Sequence, residues 1–417
     1  MSSFVRAACI ATGVLFFATS GASQVFHRGF KMTNNRAKRV SIPFELQSNL
    51  IIIPVQINDG EELKFILDTG VRTAILTDGM YVEGIPTVND RMISLMGAGN
   101  EGEVSAYVSN GISFTLPEGV AAEGNAMLVL KEDYLRLDSY LGTRVHGILG
   151  YEIFSRFVVE IDYTKQVVVL HKPELFKPSR RLTKIPITVE DTKPYVDGVR
   201  LSVNDSTTIT AKLMIDTGAS HALMLNMESN DSISVPNPHL SGYLGRGLSG
   251  DIFGHMARVS ELGIDDYALE GVISSFPEEG AFMQATRNRT NHNGNIGGSA
   301  LKRFRVIFDY ANEMMYLQKN RHYRRPFDYN MSGIELITVG PLLETFLVSK
   351  VIKDSPAQRA GIQEGDMILS VNGLRFPELS LGLFSTIVSR RPGKRIRIRI
   401  YRNGILFKKK FRLERIL

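Results

Sequence analysis

Short runs of apolar and β-branched residues, each broken by Gly, Asn, Asp or Pro, recur along most of this chain. Runs of this length between turn-forming residues predict strands rather than helices. Two long stretches, residues 41–172 and 173–330, carry the pattern, and a segment rich in proline and basic residues (172–186) joins them. The pattern therefore predicts a mainly β protein with mostly antiparallel sheets.

The two stretches resemble each other. A strand–turn–strand segment leads to Asp68-Thr69-Gly70 in the first and to Asp216-Thr217-Gly218 in the second. Well downstream of each triplet, HGILGYEIFSRFVVEIDY (146–163) and NGNIGGSALKRFRVIFDY (293–310) align without a gap. Shared order and nearly equal separation predict an internal duplication, and hence two lobes related by a pseudo-twofold axis.

The last part of the chain has a different pattern. Asp354-Ser355-Pro356-Ala357 predicts the capped start of a short helix that ends at Gly361, and GDMILSVNG (365–373) predicts a strand closing in an Asn-Gly turn. This signature resembles a PDZ domain, which we place at residues 334–417. The resemblance implies that strand 346–352 captures an extended partner tail. The peptide-binding residues expected there, with a carboxylate-binding loop near 340–344, are Leu342, Leu343, Phe346 and Val348.

Composition agrees with a folded chain. Its 417 residues suggest about three domains, and a content of 43% hydrophobic and 22% charged residues is that of a globular protein. The net charge of +6 is mild, but RRPGKRIRIRIYRNG (390–404) alternates Arg with Ile. The alternation predicts an amphipathic strand with a solvated Arg face, and a nucleic-acid or anionic-membrane patch is the alternative. Because no binding motif accompanies the charges, we expect no nucleic-acid partner.

The first residues have the features of a secretory signal. Arg6 precedes an apolar core (7–19) and a small-residue cleavage site (20–24). We assign residues 1–23 to a signal peptide and 24–40 to an N-terminal arm. Cleavage removes Cys9, the chain's one cysteine, and leaves no membrane span. The expected location is the periplasm or cell envelope of a Gram-negative bacterium.

The two aspartates are the candidate chemistry. A carboxylate at the end of an apolar strand is costly unless it has partners, and duplication would bring Asp68 and Asp216 together. Two adjacent carboxyl groups share a proton, which provides one acid and one base at a single pH. Thr69 and Thr217 could brace the two loops, while Gly70 and Gly218 let backbone amides approach the carboxylates.

These motifs resemble those of aspartic proteases of the pepsin and retropepsin group, in their single-chain, two-lobed form, specifically bacterial members with a C-terminal PDZ domain. The resemblance implies a two-lobed β-barrel protease that hydrolyses peptide bonds through water activated by Asp68 and Asp216. It also implies hairpin flaps, for which the candidates are residues 95–108 with Gly97 and Gly99, and residues 243–256 with Gly245 and Gly247. The expected partners are an extended peptide or protein substrate and a partner tail at the PDZ domain. We expect a monomer without a cofactor or metal.

Two questions follow from this resemblance. A catalytically inactive cleft that serves, with the PDZ domain, as a peptide-binding adaptor is the alternative, although retention of both complete triplets favours an enzyme. Val71 and Ala219 follow the triplets where many relatives have a hydroxyl that donates to the carboxylate. Without those donors, the pH optimum should lie nearer neutral than that of gastric-type relatives.

The run GAGNEG (97–102) matches a dinucleotide-binding fingerprint, but strand-like residues follow it where a helix is required, so we reject dinucleotide binding.

Overall fold

The computed structural model describes residues 28–79, 92–278, 280 and 292–417. The predicted signal peptide with Cys9 lies outside these residues. The described chain is mainly β, as the sequence predicts, with its strands in four sheets. In this part of the chain, no helix combines the length and the apolar character that crossing a bilayer requires.

The elements between Arg28 and His171 form the first lobe. Its elements are β1 (Arg28–Met32), β2 (Arg39–Pro43), β3 (Glu45–Gln47), β4 (Leu50–Ile57), β5 (Glu62–Leu67), β6 (Ile75–Leu76), β7 (Met92–Leu95), β8 (Val104–Leu116), β9 (Val120–Leu130), α1 (Leu137–Leu141), β10 (Gly147–Leu149), α2 (Tyr151–Phe154), β11 (Val158–Asp162) and β12 (Val167–His171). One sheet runs β1-β9-β6-β10-β5-β4-β8-β7, with β3 beside β4. Strand β1 pairs with β9, so the predicted N-terminal arm contributes an edge strand to this lobe.

The second lobe follows a short 3-10 turn at Pro173–Leu175. Its elements are β13 (Thr183–Pro186), β14 (Thr188–Glu190), β15 (Lys193–Ser202), β16 (Thr208–Ile215), β17 (Leu223–Leu225), β18 (His239–Gly247), β19 (Gly250–Ile264), β20 (Tyr267–Pro277), β21 (Gly294–Ile296), α3 (Gly298–Leu301), β22 (Phe304–Asp309) and β23 (Met314–Lys319), with 3-10 turns at Met227–Ser229 and Tyr310–Asn312. Its sheet runs β14-β15-β16-β21-β17-β20-β19-β18.

The two lobes share one topology. In the first, β10 lies parallel to β5 and antiparallel to β6, and β6 lies parallel to β9. In the second, β21 lies parallel to β16 and antiparallel to β17, and β17 lies parallel to β20. This repeated pairing is what the duplicated sequence predicts, and it puts each Asp-Thr-Gly triplet after the equivalent strand.

A third sheet joins the lobes. It runs β13-β23-β22-β11-β12-β2, and its centre is the antiparallel pair β11–β22, in which Ile161 lies opposite Val306. These two strands come from the repeated segments that end in Asp-Tyr. One hydrophobic core extends through both lobes and includes Phe65, Leu213 and Phe308. The shared sheet and core hold the two triplets in a defined relation.

The C-terminal region has its own core and five-stranded sheet. Its elements are β24 (Ile334–Val339), β25 (Thr345–Val351), α4 (Pro356–Arg359), β26 (Met367–Val371), α5 (Leu381–Val388), β27 (Arg395–Arg402) and β28 (Ile405–Arg412), with the strands in chain order in the sheet. The Ser355 hydroxyl caps α4, and Pro356 begins the helix, as predicted. The boundaries assigned to the domains remain predictions.

The structure corrects the predicted peptide-binding strand of this region. Strand β25 pairs with β24 on one side and β26 on the other, so it has no free edge for an added strand. Phe346 and Val348 are buried in the core rather than lining a groove. In the loop, the Leu342 amide donates to the Glu344 carboxylate at 2.9 Å and the Leu343 amide to the Gly340 carbonyl at 3.0 Å. These amides are therefore already bonded and do not form an open carboxylate-binding loop.

Candidate functional site

The two Asp-Thr-Gly loops meet through their threonines. The Thr69 amide donates to the Thr217 hydroxyl at 3.0 Å, and the Thr217 amide donates to the Thr69 hydroxyl at the same distance. Each hydroxyl in turn donates to a strand of the opposite lobe, Thr69 to the Ile215 carbonyl at 2.7 Å and Thr217 to the Leu67 carbonyl at 2.8 Å. Both side chains are buried. Four hydrogen bonds thus clamp the two loops symmetrically.

The glycines bring the loops close to the carboxylates. The Gly70 amide donates to Asp68 Oδ1 at 2.6 Å, and the Gly218 amide donates to Asp216 Oδ1 at 3.0 Å. A Cβ placed on Gly218 would lie 2.1 Å from Asp68 Cγ, closer than any side chain tolerates. Glycine at this position therefore allows one loop to approach the carboxylate of the other lobe.

The two aspartates form an interacting pair. Burial first, and then the negative charge of Asp216, raise the pKa of Asp68 from its ordinary value of 3.8 to about 7, although the hydrogen bond from the Gly70 amide opposes this shift. A side-chain hydrogen bond with Asp216 also favours the protonated form of Asp68. At neutral pH the pair can hold a proton, which is the state that acid–base chemistry requires.

A polar chain makes the pair asymmetric, and the hydrogen bond that Asn295 contributes to it was not predicted from the sequence. The Asn295 side-chain amide donates to Asp216 Oδ2 at 2.7 Å, and the Asn295 carbonyl oxygen lies 3.1 Å from His221 Nε2. Burial lowers the pKa of His221, so the ring is neutral near pH 7. Asn295 occupies the repeat position that Ile148 occupies in the first lobe. The replacement of an apolar residue by a polar one at this repeat position is the sequence feature that could have indicated a role for Asn295.

The segments that contain the repeated glycines Gly150 and Gly297 pack directly against the triplet loops. The Asp68 amide donates to the Leu149 carbonyl at 2.9 Å, and the Asp216 amide donates to the Ile296 carbonyl at 2.9 Å. A Cβ on Gly150 would lie 2.2 Å from the Asp68 carbonyl oxygen, and one on Gly297 would lie 2.4 Å from the His221 carbonyl oxygen. Both glycines are therefore required by close backbone contact.

The structure brings three of the four predicted flap glycines against the opposite hairpin. Residues 96–103 connect β7 and β8, and residues 248–249 connect β18 and β19, so each lobe contributes one hairpin. The tips bond directly: the Ser249 amide donates to the Ala98 carbonyl at 3.0 Å, and the Glu101 amide donates to the Ser249 carbonyl at 2.7 Å. We call this contact the hairpin clasp. A Cβ on Gly97, Gly99 or Gly247 would lie within 2.6 Å of the opposite hairpin, whereas Gly245 has open space.

An ion pair reinforces the clasp. The Arg246 guanidinium lies 3.0 Å from the Glu101 carboxylate of the opposite hairpin and 2.6 Å from Asp251 of its own. Its Nε also donates to the Tyr134 carbonyl at 2.6 Å. The hydrogen bond from Arg246 lowers the pKa of Glu101, so this carboxylate stays charged in mildly acidic solution. Sequence analysis did not predict this pair, because its partners are far apart in the chain.

The C-terminal region contacts both lobes, at α1 of the first and at the hairpin of the second. The Thr338 hydroxyl lies 3.2 Å from the Ser139 carbonyl of α1, and the Lys350 ammonium lies 5.5 Å from the ring centres of Tyr243 and Phe253 in the second hairpin. A cation over aromatic faces is a stabilising contact. One hairpin therefore contacts both the opposite hairpin and the C-terminal domain.

Comparison with known proteins identifies the C-terminal domain. The model of the PDZ domain family matches residues 347–402. This chain is similar to PDZ domain-containing protein 11 of Gallus gallus, with 37% identity over 76 residues, which is 17% of this chain and 51% of that protein. The Homo sapiens and Danio rerio proteins of that name are each 36% identical over 76 residues, again 17% of this chain and 51% and 50% of theirs. The chain spans about half the length of these curated relatives. It therefore contains a PDZ domain.

Proposed function

We propose that this chain is an aspartic endopeptidase of the pepsin and retropepsin group, exported to the periplasm or envelope of a Gram-negative bacterium. The observation that carries the proposal is the reciprocal Thr69–Thr217 contact, which holds Asp68 and Asp216 together in equivalent loops. Because the pKa of Asp68 is raised, this carboxyl group can keep its proton near neutral pH. One carboxylic acid beside one carboxylate is the pair that water-mediated peptide hydrolysis requires.

The asymmetry of the pair assigns the two roles. The raised pKa of Asp68 makes it the acid, and Asp216, which accepts hydrogen bonds from Gly218 and Asn295, is the base. It removes a proton from water while the water oxygen attacks the peptide carbonyl carbon, and Asp68 gives its proton to the carbonyl oxygen. The tetrahedral diol then collapses: the C–N bond breaks, Asp216 protonates the leaving nitrogen, and Asp68 recovers a hydroxyl proton. One water is consumed, and both carboxyl groups return to their starting states.

The hairpins and the PDZ domain have separate roles in this proposal. The hairpin clasp covers the cleft, and its tips separate to admit an extended peptide, which binds between the lobes. The PDZ domain docks a substrate or partner segment and contributes no reacting group. Since β25 is an interior strand, such docking uses another surface of the domain.

A peptide-binding adaptor without catalysis is the second candidate. The observation that favours it is the clasp itself, since bonded tips would hold a captured chain without requiring its cleavage. The two functions separate in one experiment. The mature chain is incubated with a mixed peptide library, with and without a statine-type inhibitor, and the products are sequenced by mass spectrometry. We expect inhibitor-sensitive internal cleavage; retention of intact peptides on the protein would support the adaptor.

A further inference from the structure

One face of the PDZ sheet carries six cations in directly opposed pairs. In the β27–β28 register the pairs are Arg395 with Arg412, Arg397 with Lys410 and Arg399 with Lys408. All six side chains are exposed, because the alternating residues between them, such as Ile396 and Ile398, are buried in the domain core. We call this surface the cationic ladder.

The ladder is unfavourable for the isolated domain. Like charges directly opposite each other destabilise an antiparallel pair. Within the described residues, none of the six cations forms an ion pair with an acidic side chain. Lysines on β28 alone could protect an exposed sheet edge from pairing with another chain. That explanation does not cover the arginines of β27, because β27 is an interior strand paired on both sides. An anionic partner would account for both strands.

The end of the same hairpin is apolar. Tyr401 lies opposite Leu406 and continues the ladder face, and Ile405, the first residue after the turn, pairs with Arg402 at the alternate position of the strand. The side chains of Tyr401, Leu406 and Ile405 are 41%, 60% and 57% exposed, respectively, which is high for large apolar residues. An apolar tip next to a row of cations fits a bilayer interface, where apolar groups enter the acyl boundary and cations meet phosphates. A nucleic acid would account for the charges but not for the exposed aliphatic tip.

We propose that the β27–β28 face docks the protein on an anionic phospholipid bilayer. The cationic ladder binds lipid phosphates, and Tyr401, Ile405 and Leu406 insert at the interface. This surface function does not depend on the proposed peptidase activity. It would hold the lobes close to a membrane surface.

The test measures flotation of the full chain with lipid vesicles. Vesicles of phosphatidylcholine with about 30% phosphatidylglycerol are compared with phosphatidylcholine alone, in low salt and in about 0.5 M salt. The variant Arg397→Gln/Lys410→Gln removes two ladder charges. Arg180→Gln/Arg181→Gln removes the same charge from the exposed segment between the lobes and is the matched control. Ile405→Ser/Leu406→Ser tests the apolar tip, and circular dichroism checks that every variant is folded.

We expect the wild-type chain to bind the anionic vesicles only. Its affinity for them should fall by about tenfold or more in the ladder variant and stay unchanged in Arg180→Gln/Arg181→Gln, the linker control. The tip variant should lose the binding that remains at high salt. Equal loss in the linker control would show a bulk charge effect and overturn the proposal. So would the absence of vesicle binding, or binding to duplex DNA that the ladder variant abolishes while vesicles stay unbound.

Discussion

The Thr69 and Thr217 side chains each accept the other's backbone amide at 3.0 Å, and both are buried. A buried clamp of this kind makes the lobes depend on each other. Thr69→Val keeps the shape but leaves the Thr217 amide and the Ile215 carbonyl without their partner. We expect unfolding free energy to fall by about 1–3 kcal/mol. Urea titration measures it, and Thr69→Ser, which keeps the hydroxyl, should lose much less. Equal losses in the two variants would show that the hydroxyl bonds are not what stabilises the contact.

The raised pKa of Asp68 predicts a specific pH dependence of stability. The folded chain binds this proton more tightly than the unfolded chain, whose carboxyl has the ordinary pKa of 3.8. The carboxyl's stabilising contribution is therefore complete below about pH 4 and is lost as pH rises through about 7. Asp68→Asn removes that loss, so its stability gain over wild type should grow between pH 4 and pH 8, reaching about 1–3 kcal/mol. Urea melts at both pH values measure the gain, and a gain independent of pH would contradict the raised pKa.

The Asn295–Asp216 hydrogen bond predicts an asymmetric response of activity to pH. Asn295→Ile introduces the residue type found at the equivalent first-lobe position and removes a donor to the ionised carboxylate. The acid limb of the kcat/KM profile should then move to higher pH. A structural role alone would lower activity without moving the limb. His221→Gln, which can keep a hydrogen bond to Asn295, should shift the limb less.

Hydroxyl variants beside the two triplets test the same asymmetry by adding a hydrogen-bond donor rather than removing one. Sequence reasoning treats Val71 and Ala219 alike, because neither side chain can donate to its carboxylate. The structure distinguishes them, since Asp216 Oδ2 already accepts from Asn295. Val71→Ser adds a donor beside Asp68, the proposed acid, and should therefore move the alkaline limb to lower pH, whereas Ala219→Thr should leave the profile nearly unchanged. The same shift in both variants would contradict the assigned roles.

The Glu101–Arg246 pair predicts that acid loosens the hairpin clasp. The pKa of Glu101 is lowered in the folded chain, so its contribution is complete above its ordinary pKa and is lost as pH falls through the lowered value. Glu101→Gln should increase amide hydrogen exchange of the two tips several-fold at neutral pH, with little change in global stability. Glu103→Gln, an exposed change in the same hairpin, is the control. Unchanged tip exchange in Glu101→Gln would show that the backbone bonds suffice.

Sequence patterns predict the parts of this molecule that depend on local and repeated features. The two triplets, the glycines beneath them and the short α4 helix follow from residue type and spacing. The docking strand of the PDZ domain could not be predicted in this way, because β24 and β25 have similar alternation and only the order of pairing makes one of them interior. The role of Asn295 was not predicted for a related reason. It depends on a hydrogen bond to Asp216, which is 79 residues away in the chain and is brought close only by the fold.

The most direct test of the central claim compares peptide hydrolysis by the wild-type chain with that by Asp68→Asn and Asp216→Asn. A peptide found to be cleaved in the library is assayed with each purified protein at the pH optimum, after circular dichroism has shown that all three are folded. The account predicts that either substitution alone lowers kcat to less than about a hundredth of the wild-type value, because the mechanism needs both carboxyl groups. Cleavage at more than that fraction by either folded variant would contradict an Asp68–Asp216 catalytic pair.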